Sequence, residues 1–317
     1  MKVLVTGATG LIGRALLAHL QTLPQFMPRA AVRQLVPDRI PAGIETVLVA
    51  DLSADTDWHA ALAGIDTVVH LAARVHVVNE PAADPLLAFR QINVAGSTRL
   101  AQMAAQAGVK RLVYMSSAKV NGEATAARQA FSESSPVAPQ GPYGISKLET
   151  EQGLQKIAQT TGLELTILRP PLVYGPGVQA NFAALAAAVA RGIPLPLGAM
   201  DNQRSLVSVD NLVDLITTAL THPAAANQIF MASDGEDLST KELVQRIALA
   251  MERPARLLPV PAWMLMAGAA MLGQQGAAQR LCGNLQLDIA KARTLLGWAP
   301  PVSVDEGLRR AVAGYRK

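Results

Sequence analysis

Over the first half of the chain, short apolar runs alternate with longer stretches whose apolar residues recur three and four positions apart. The runs Lys2–Thr6, Arg29–Arg33, Thr46–Val49, Thr67–Leu71, Arg111–Met115 and Glu164–Leu168 predict strands. The periodic stretches Leu11–Thr22, Asp57–Ala63, Leu86–Ala107 and Tyr143–Thr161 predict helices between them. Strands that are apolar on both faces belong in a parallel sheet covered on both sides. The expected fold class is therefore α/β, a doubly wound parallel sheet.

After Arg169 the pattern changes. Pro170, Pro171, Pro176, Pro194 and Pro196 interrupt the alternation, with Gly175, Gly177, Gly192 and Gly198 among them. Two later segments, Leu206–Leu220 and Gln228–Met231, are expected to return to the main sheet. Ala183–Ala190, Ser239–Met251 and Val304–Arg316 read as further helices. The expectation is a first domain of residues 1–170, rejoined by 205–232, and a smaller, discontinuous lobe of 171–204 and 233–317. The apolar stretch Ala262–Leu272 falls short of the roughly 20 residues a membrane span needs. It is expected to be a buried or site-covering helix, with a membrane-surface element as the alternative, and no stable membrane insertion is expected.

Composition narrows the class. Half of the 317 residues are apolar and 16% are charged, enough to bury a large interior. The net charge of +4 comes from scattered basic residues, which suits an anionic small molecule and not nucleic acid. The single cysteine, Cys282, leaves no internal disulfide, and no His, Asp or Glu cluster has metal-ligand spacing, so no metal site is expected. Met1 leads straight into the first strand, and the expected location is the cytoplasm.

The first strand runs into Gly7-Ala8-Thr9-Gly10-Leu11-Ile12-Gly13. Glycines at this spacing between a strand and a helix let the backbone turn tightly and approach a pyrophosphate, which the helix N-terminus attracts. The doubly wound sheet is thus expected to be of Rossmann type, binding a dinucleotide. An acid about 20 residues beyond the glycines selects NAD, and an arginine there grips the extra phosphate of NADP. The second strand ends in Arg33, and the nearest acid is Asp38. The expected cofactor is NADP(H) or NAD(H), with Arg33 favouring the former. Asp51 and Leu52 follow the third strand, where adenine would lie.

Tyr143 and Lys147 in Pro142-Tyr143-Gly144-Ile145-Ser146-Lys147 are four residues apart and share a helix face. A phenol with a pKa of about 10 shuttles protons poorly at neutral pH, and a nearby ammonium is expected to lower it. Ser116 and Ser117, at the tip of the fifth strand, supply a hydroxyl on the edge where such sheets bind ligands.

With these elements the chain resembles the extended short-chain dehydrogenase/reductase family, in its nucleotide-sugar epimerase, dehydratase and reductase branch. The resemblance covers essentially the whole length. It also rests on His70-Leu71-Ala72-Ala73, Asn93-Val94-Ala95-Gly96, Arg169 through Pro176, and Leu296-Gly297-Trp298. It implies Tyr143 as acid/base, Lys147 as its partner on the nicotinamide ribose, and Ser117 orienting the reacting oxygen. It places Leu71, Ala72, Ala73, Asn93 and Pro170 along the dinucleotide. It implies that Ser116, Lys119, Asn181, Leu197, Arg204 and Arg280 surround a UDP-sugar, with Asn181 and the two guanidiniums on its diphosphate. The family's dehydratases carry an Asp-Glu pair after the active-site hydroxyl, whereas here Ala118-Lys119 follows Ser117. That argues against dehydration. Because Arg33 favours NADPH, the usual reductant, and Ser116 through Glu123 resembles the family's UDP-4-keto-sugar reductases, reduction of a UDP-4-keto-6-deoxy-N-acetylhexosamine in surface-polysaccharide synthesis is the first expectation, and 4-epimerisation with retained NAD the alternative. The resemblance further implies a homodimer through the two long helices, with Leu148, Leu154 and Ile157 available either to that seam or to the core.

Overall fold

Seven strands form one parallel sheet. The computed structural model describes residues 1–36, 38–75, 84–271, 273 and 275–315. In chain order its first half contains β1 (Lys2–Thr6), α1 (Leu11–Gln21), β2 (Met27–Val32), β3 (Glu45–Leu48), α2 (His59–Leu62), β4 (Thr67–His70) and α3 (Pro85–Phe89). A π-helical stretch, Arg90–Gly96, joins α3 to α4 (Ser97–Gln106), and β5 (Arg111–Met115) follows. Then come β6 (Ala130–Phe131), α5 (Gly141–Thr161) and β7 (Glu164–Arg169).

The second half contributes β8 (Leu172–Tyr174), α6 (Ala180–Ala190), β9 (Arg204–Ser208), α7 (Val209–Thr221), β10 (Gln228–Met231) and β11 (Asp237–Leu238). It ends with α8 (Thr240–Ala250), α9 (Ala262–Met271), α10 (Gln275–Cys282), β12 (Gln286–Leu287), α11 (Ala290–Leu296) and α12 (Val304–Ala311). The expected Leu272 and Arg316 ends of two helices lie outside the described residues.

The main sheet runs β10-β7-β5-β4-β1-β2-β3, and its order reverses beside β1, the point where doubly wound sheets open a ligand crevice. Every residue of β4 and β5 is buried, as strands covered on both faces require. One apolar layer packs α1 and α7 on one side; the other packs Leu100, Leu154, Ile157 and Trp58 on the opposite side. Leu154 and Ile157 are thus core residues of the monomer, because their face of α5 lies against the sheet.

Of the two segments expected to return to the main sheet, Gln228–Met231 joins it as a strand, pairing in parallel with β7, and the helical part of Leu206–Leu220 packs on its face. Leu206–Leu220 divides. Its first residues belong to β9 in a separate three-stranded sheet, β11-β9-β8, and the rest is α7. The segment's apolar residues follow helical spacing once Ser208 caps α7 by accepting from the Asn211 N–H. Tyr174, Phe182, Val244, Ile247 and Leu308 fill a third apolar cluster, the core of the smaller lobe.

The expectation of burial fails for Ala262–Met271. Nothing in α9 is buried, and Trp263 is 71% exposed. Apolar composition drives burial only where enough apolar surface is within reach, and α9 is covered in part only, by α10 and through Leu265 by the smaller lobe's core.

Candidate active site

The crevice begins at the glycine loop. Gly7 holds a φ of +65°, and a Cβ there would stand 2.8 Å from the Ala72 nitrogen. A Cβ on Gly13 would come within 2.3 Å of the Gly7 carbonyl oxygen, so α1 can approach the loop only as glycine permits. Gly10 is the N-cap of α1; it makes no side-chain cap, and the first turn holds no acid. The helix therefore presents free N–H groups and its positive end, which suits a pyrophosphate. Thr9, Leu11 and Ile12 complete this cradle, all partly exposed. These residues fit a dinucleotide.

Opposite the loop, Thr6 Oγ1 accepts the N–H groups of Leu71 and Ala72 at 3.2 Å and pairs with His70 Nδ1 at 2.7 Å. His70 Nε2 meets Ser97 Oγ at 2.8 Å. Burial, helped by the charge on Lys147, lowers the His70 pKa to about 3. This histidine is a neutral brace that holds Leu71, Ala72 and Ala73 along the crevice.

Asn93 is also a brace. Its oxygen accepts from the Arg74 N–H at 2.7 Å, and its amide donates to the Arg74 carbonyl and to Ser146 Oγ. It ties the π-helical stretch and α5 to the loop after β4, so its own polar atoms are already committed. At the adenine end, Arg33 forms an ion pair with Asp51 at 2.8 Å, and Leu52 packs under Gly96.

The tip of β5 and the start of α5 bring the reactive groups together. The Tyr143 phenol faces the Ser117 hydroxyl closely enough for the two to interact, and it lies edge-on to Phe89. Burial pushes the Tyr143 pKa up to about 12, with the Ser117 hydroxyl opposing it. Lys147 is completely enclosed. It donates to the Met115 carbonyl at 2.7 Å and to Tyr114 Oη at 3.1 Å, and stands 5.9 Å from the Tyr143 ring centre.

Burial lowers the Lys147 pKa to about 7, and the Glu151 carboxylate acts against that fall. The expected lowering of the phenol by the lysine is therefore absent from this arrangement. Desolvation dominates both groups, and the ammonium is held by a carbonyl and a second tyrosine.

Ser116 and Ser117 separate by direction. Alternation along the strand end turns Ser116 inward, where its hydroxyl donates to Glu151, while Ser117 is partly exposed toward the crevice. Pro170 lies buried beside them, its carbonyl accepting from the Ala118 N–H at 2.9 Å.

Beneath these residues runs a network the sequence reading passed over. Arg169 Nε and Nη2 donate to the two oxygens of Glu151 at 2.9 and 2.5 Å, and Nη1 donates to Asn121 at 3.0 Å. Glu151 follows Lys147 by four residues and Tyr143 by eight, so it continues the same stripe of α5. That spacing was the available signal.

Of the residues expected around the substrate, Arg204 and Lys119 are set near each other through Glu123, and Arg280 adds its charge. Lys119 Nζ pairs with Glu123 at 2.9 Å. Arg204 donates to the Gly283 carbonyl at 2.8 Å, and burial lowers its pKa, with Glu123 opposing and Arg280 assisting. Asn181 is exposed in the first turn of α6, and Leu197 is buried in the smaller lobe's core.

Comparison with known proteins agrees with this geometry. The profile of the NAD dependent epimerase/dehydratase family matches residues 3–232. A Vibrio cholerae protein named UDP-glucose 4-epimerase is 42% identical over 99% of this chain and 95% of its own length. An Escherichia coli N-acetyl-α-D-glucosaminyl-diphospho-ditrans,octacis-undecaprenol 4-epimerase is 26% identical, covering 98% of this chain and 94% of its own. Among solved structures, a UDP-glucuronic acid 4-epimerase from Bacillus cereus in complex with NAD shares the fold, with a TM-score of 0.80 at 22% identity over 99% of this chain and 96% of that one. The chain is an enzyme of the NAD dependent epimerase/dehydratase family.

Proposed function

We propose that the protein inverts C4 of a UDP-sugar, a 4-epimerisation with retained NAD, and that Tyr143, Ser117 and Lys147 carry the acid–base work. The observation behind this reading is that Tyr143, Ser117 and Lys147 stand together at the tip of β5 and the start of α5, and that Ala118-Lys119 follows Ser117 instead of a carboxyl pair. Removing and returning hydrogen at a single carbon needs one acid–base group, whereas elimination of water needs another. The 42% identity to the Vibrio cholerae epimerase along nearly the whole chain supports the same outcome.

NAD, when bound, supplies the hydride acceptor and donor. Tyr143 takes the proton from the sugar's C4 hydroxyl and later restores it, while Ser117 holds that oxygen. Lys147, 5.9 Å from the Tyr143 ring centre, is the cation that balances the phenolate. Arg204 and Arg280 hold the diphosphate, with Asn181 and Lys119 at the margins. Arg33, the residue that favoured NADPH and hence reduction, is engaged by the Asp51 carboxylate, which repels a 2′-phosphate. That weakens the case for the 4-ketoreductase, and NAD is the cofactor assigned here.

The purified protein, with no added dinucleotide, is expected to convert UDP-N-acetylglucosamine or UDP-glucose to its C4 epimer, measured by chromatography of the sugar nucleotides. Tyr143→Phe should lower kcat by about 10²- to 10⁴-fold. Absence of conversion even with NAD supplied, together with NADPH oxidation by a UDP-4-keto-6-deoxy sugar, would establish the reductase instead.

A further inference from the structure

α9 reads Ala-Trp-Met-Leu-Met-Ala-Gly-Ala-Ala-Met, ten residues with no polar side chain, and none of them is buried. Trp263, Met264 and Met271 are 71%, 49% and 85% exposed, and Leu258 just before the helix is 50% exposed. A helix apolar all round normally lies inside a protein or in lipid. Leu265 alone leans on the smaller lobe's core, and α10 covers one flank.

The segment that carries the helix, residues 253–287, has charge of one sign. Between Glu252 and Asp288 the sequence contains Arg253, Arg256 and Arg280 and no acidic residue. Arg253 and Arg256 are exposed, and Arg256 reaches the Gly192 carbonyl, next to the exposed Arg191. Apolar side chains led by a tryptophan and bordered by arginines are what the headgroup boundary of an anionic bilayer accepts.

We propose that α9 docks the enzyme reversibly on an anionic membrane surface, lying in the plane of the interface with Trp263, Met264 and Met271 among the acyl chains and Arg253 and Arg256 on the phosphates. No helix among the described residues is long and apolar enough to cross a membrane, so the contact is peripheral. Two other occupants fit less well. A lid over the sugar nucleotide would need polar side chains to meet it, and α9 has none. A second copy packed two-fold on α9 would bring the arginines of both copies together. Docking places α10, whose Arg280 acts on Arg204, beside the membrane. The inference does not depend on which sugar reaction the crevice performs.

The intact protein carries its own reporter. Of its three tryptophans, Trp58 and Trp298 are 2% and 4% exposed, so a change in fluorescence reads Trp263. Mixing with phosphatidylcholine/phosphatidylglycerol vesicles should shift emission to the blue and co-sediment the protein. Binding should fall about fivefold per arginine in Arg253→Ala and Arg256→Ala, and fall again with added salt. The Met264→Ser/Met271→Ser double variant should lose sedimentation yet keep its melting temperature and its turnover of soluble UDP-sugar. A variant that fails on vesicles but still turns over sugar thus separates this contact from the proposed function. Emission unchanged by these vesicles overturns the proposal. So does a blue shift without vesicles that grows with protein concentration alongside a larger hydrodynamic mass, or one produced by UDP alone.

Discussion

α5 and α9 use their side chains in opposite ways. α5 is balanced between polar and apolar residues, yet it buries Ser146, Lys147, Thr150 and Glu151 alongside Leu154 and Ile157. α9 is wholly apolar and buries nothing. The difference lies in what each helix faces. α5 lies against the central strands and the π-helical stretch, where Met115, Tyr114 and Arg169 of the former and Asn93 of the latter offer partners to its polar atoms. A buried polar group is tolerated when such partners exist, and an apolar one stays exposed when no apolar neighbour is near.

The strongest way to break this contrast is to leave one charge of α5 without its partner. Arg169→Met should strand the Glu151 carboxylate beneath the site and cost about 3–5 kcal/mol, read from urea unfolding followed by circular dichroism. A loss under about 1 kcal/mol would mean that water reaches this network.

Lys147 gives a smaller effect with a definite sign. Burial holds its folded-state pKa at about 7, below the ordinary lysine value of 10.5. Between these two pH values the unfolded chain binds the additional proton, so this group makes the protein more stable as pH rises through that window. Below pH 7 the folded state carries the full penalty of a buried ammonium. Lys147→Met removes that dependence. The melting temperature of the variant relative to the parent should therefore be more favourable at pH 6 than at pH 9, and a flat difference would contradict the burial of the charge.

The smallest expected effect sharpens the other side of the comparison. Met264→Ser/Met271→Ser on α9 should change unfolding free energy by no more than about 0.5 kcal/mol, because exposed side chains lose little on truncation. A loss of about 2 kcal/mol or more would show that α9 is covered in the folded molecule, as a core helix is.

Much of the main lobe was legible in advance. Strands β1, β4, β5 and β7 are apolar enough on both faces to declare a covered parallel sheet, and Gly7–Gly13 marks the tight junction of β1 and α1 because only glycine tolerates that backbone and that approach. Tyr143 and Lys147 were legible because helix geometry alone puts them on one face. Leu206–Leu220 was not, since a short strand capped into a helix mixes two periodicities, and the cap at Ser208 becomes visible only with the Asn211 N–H in place.

The residues by themselves determined the alternation of elements, the glycine-bounded start of α1 and the placing of Tyr143 and Lys147 on one face of α5. The tertiary structure alone decided what surrounds each charge: that Lys147 reaches Met115 and Tyr114, that Ser116 turns to Glu151 while Ser117 turns to Tyr143, that Asp51 takes Arg33, and that α9 stays uncovered. Periodicity and spacing are properties of neighbouring positions along a chain. Desolvation and ion pairing depend on atoms brought from far along it, and only folding supplies those.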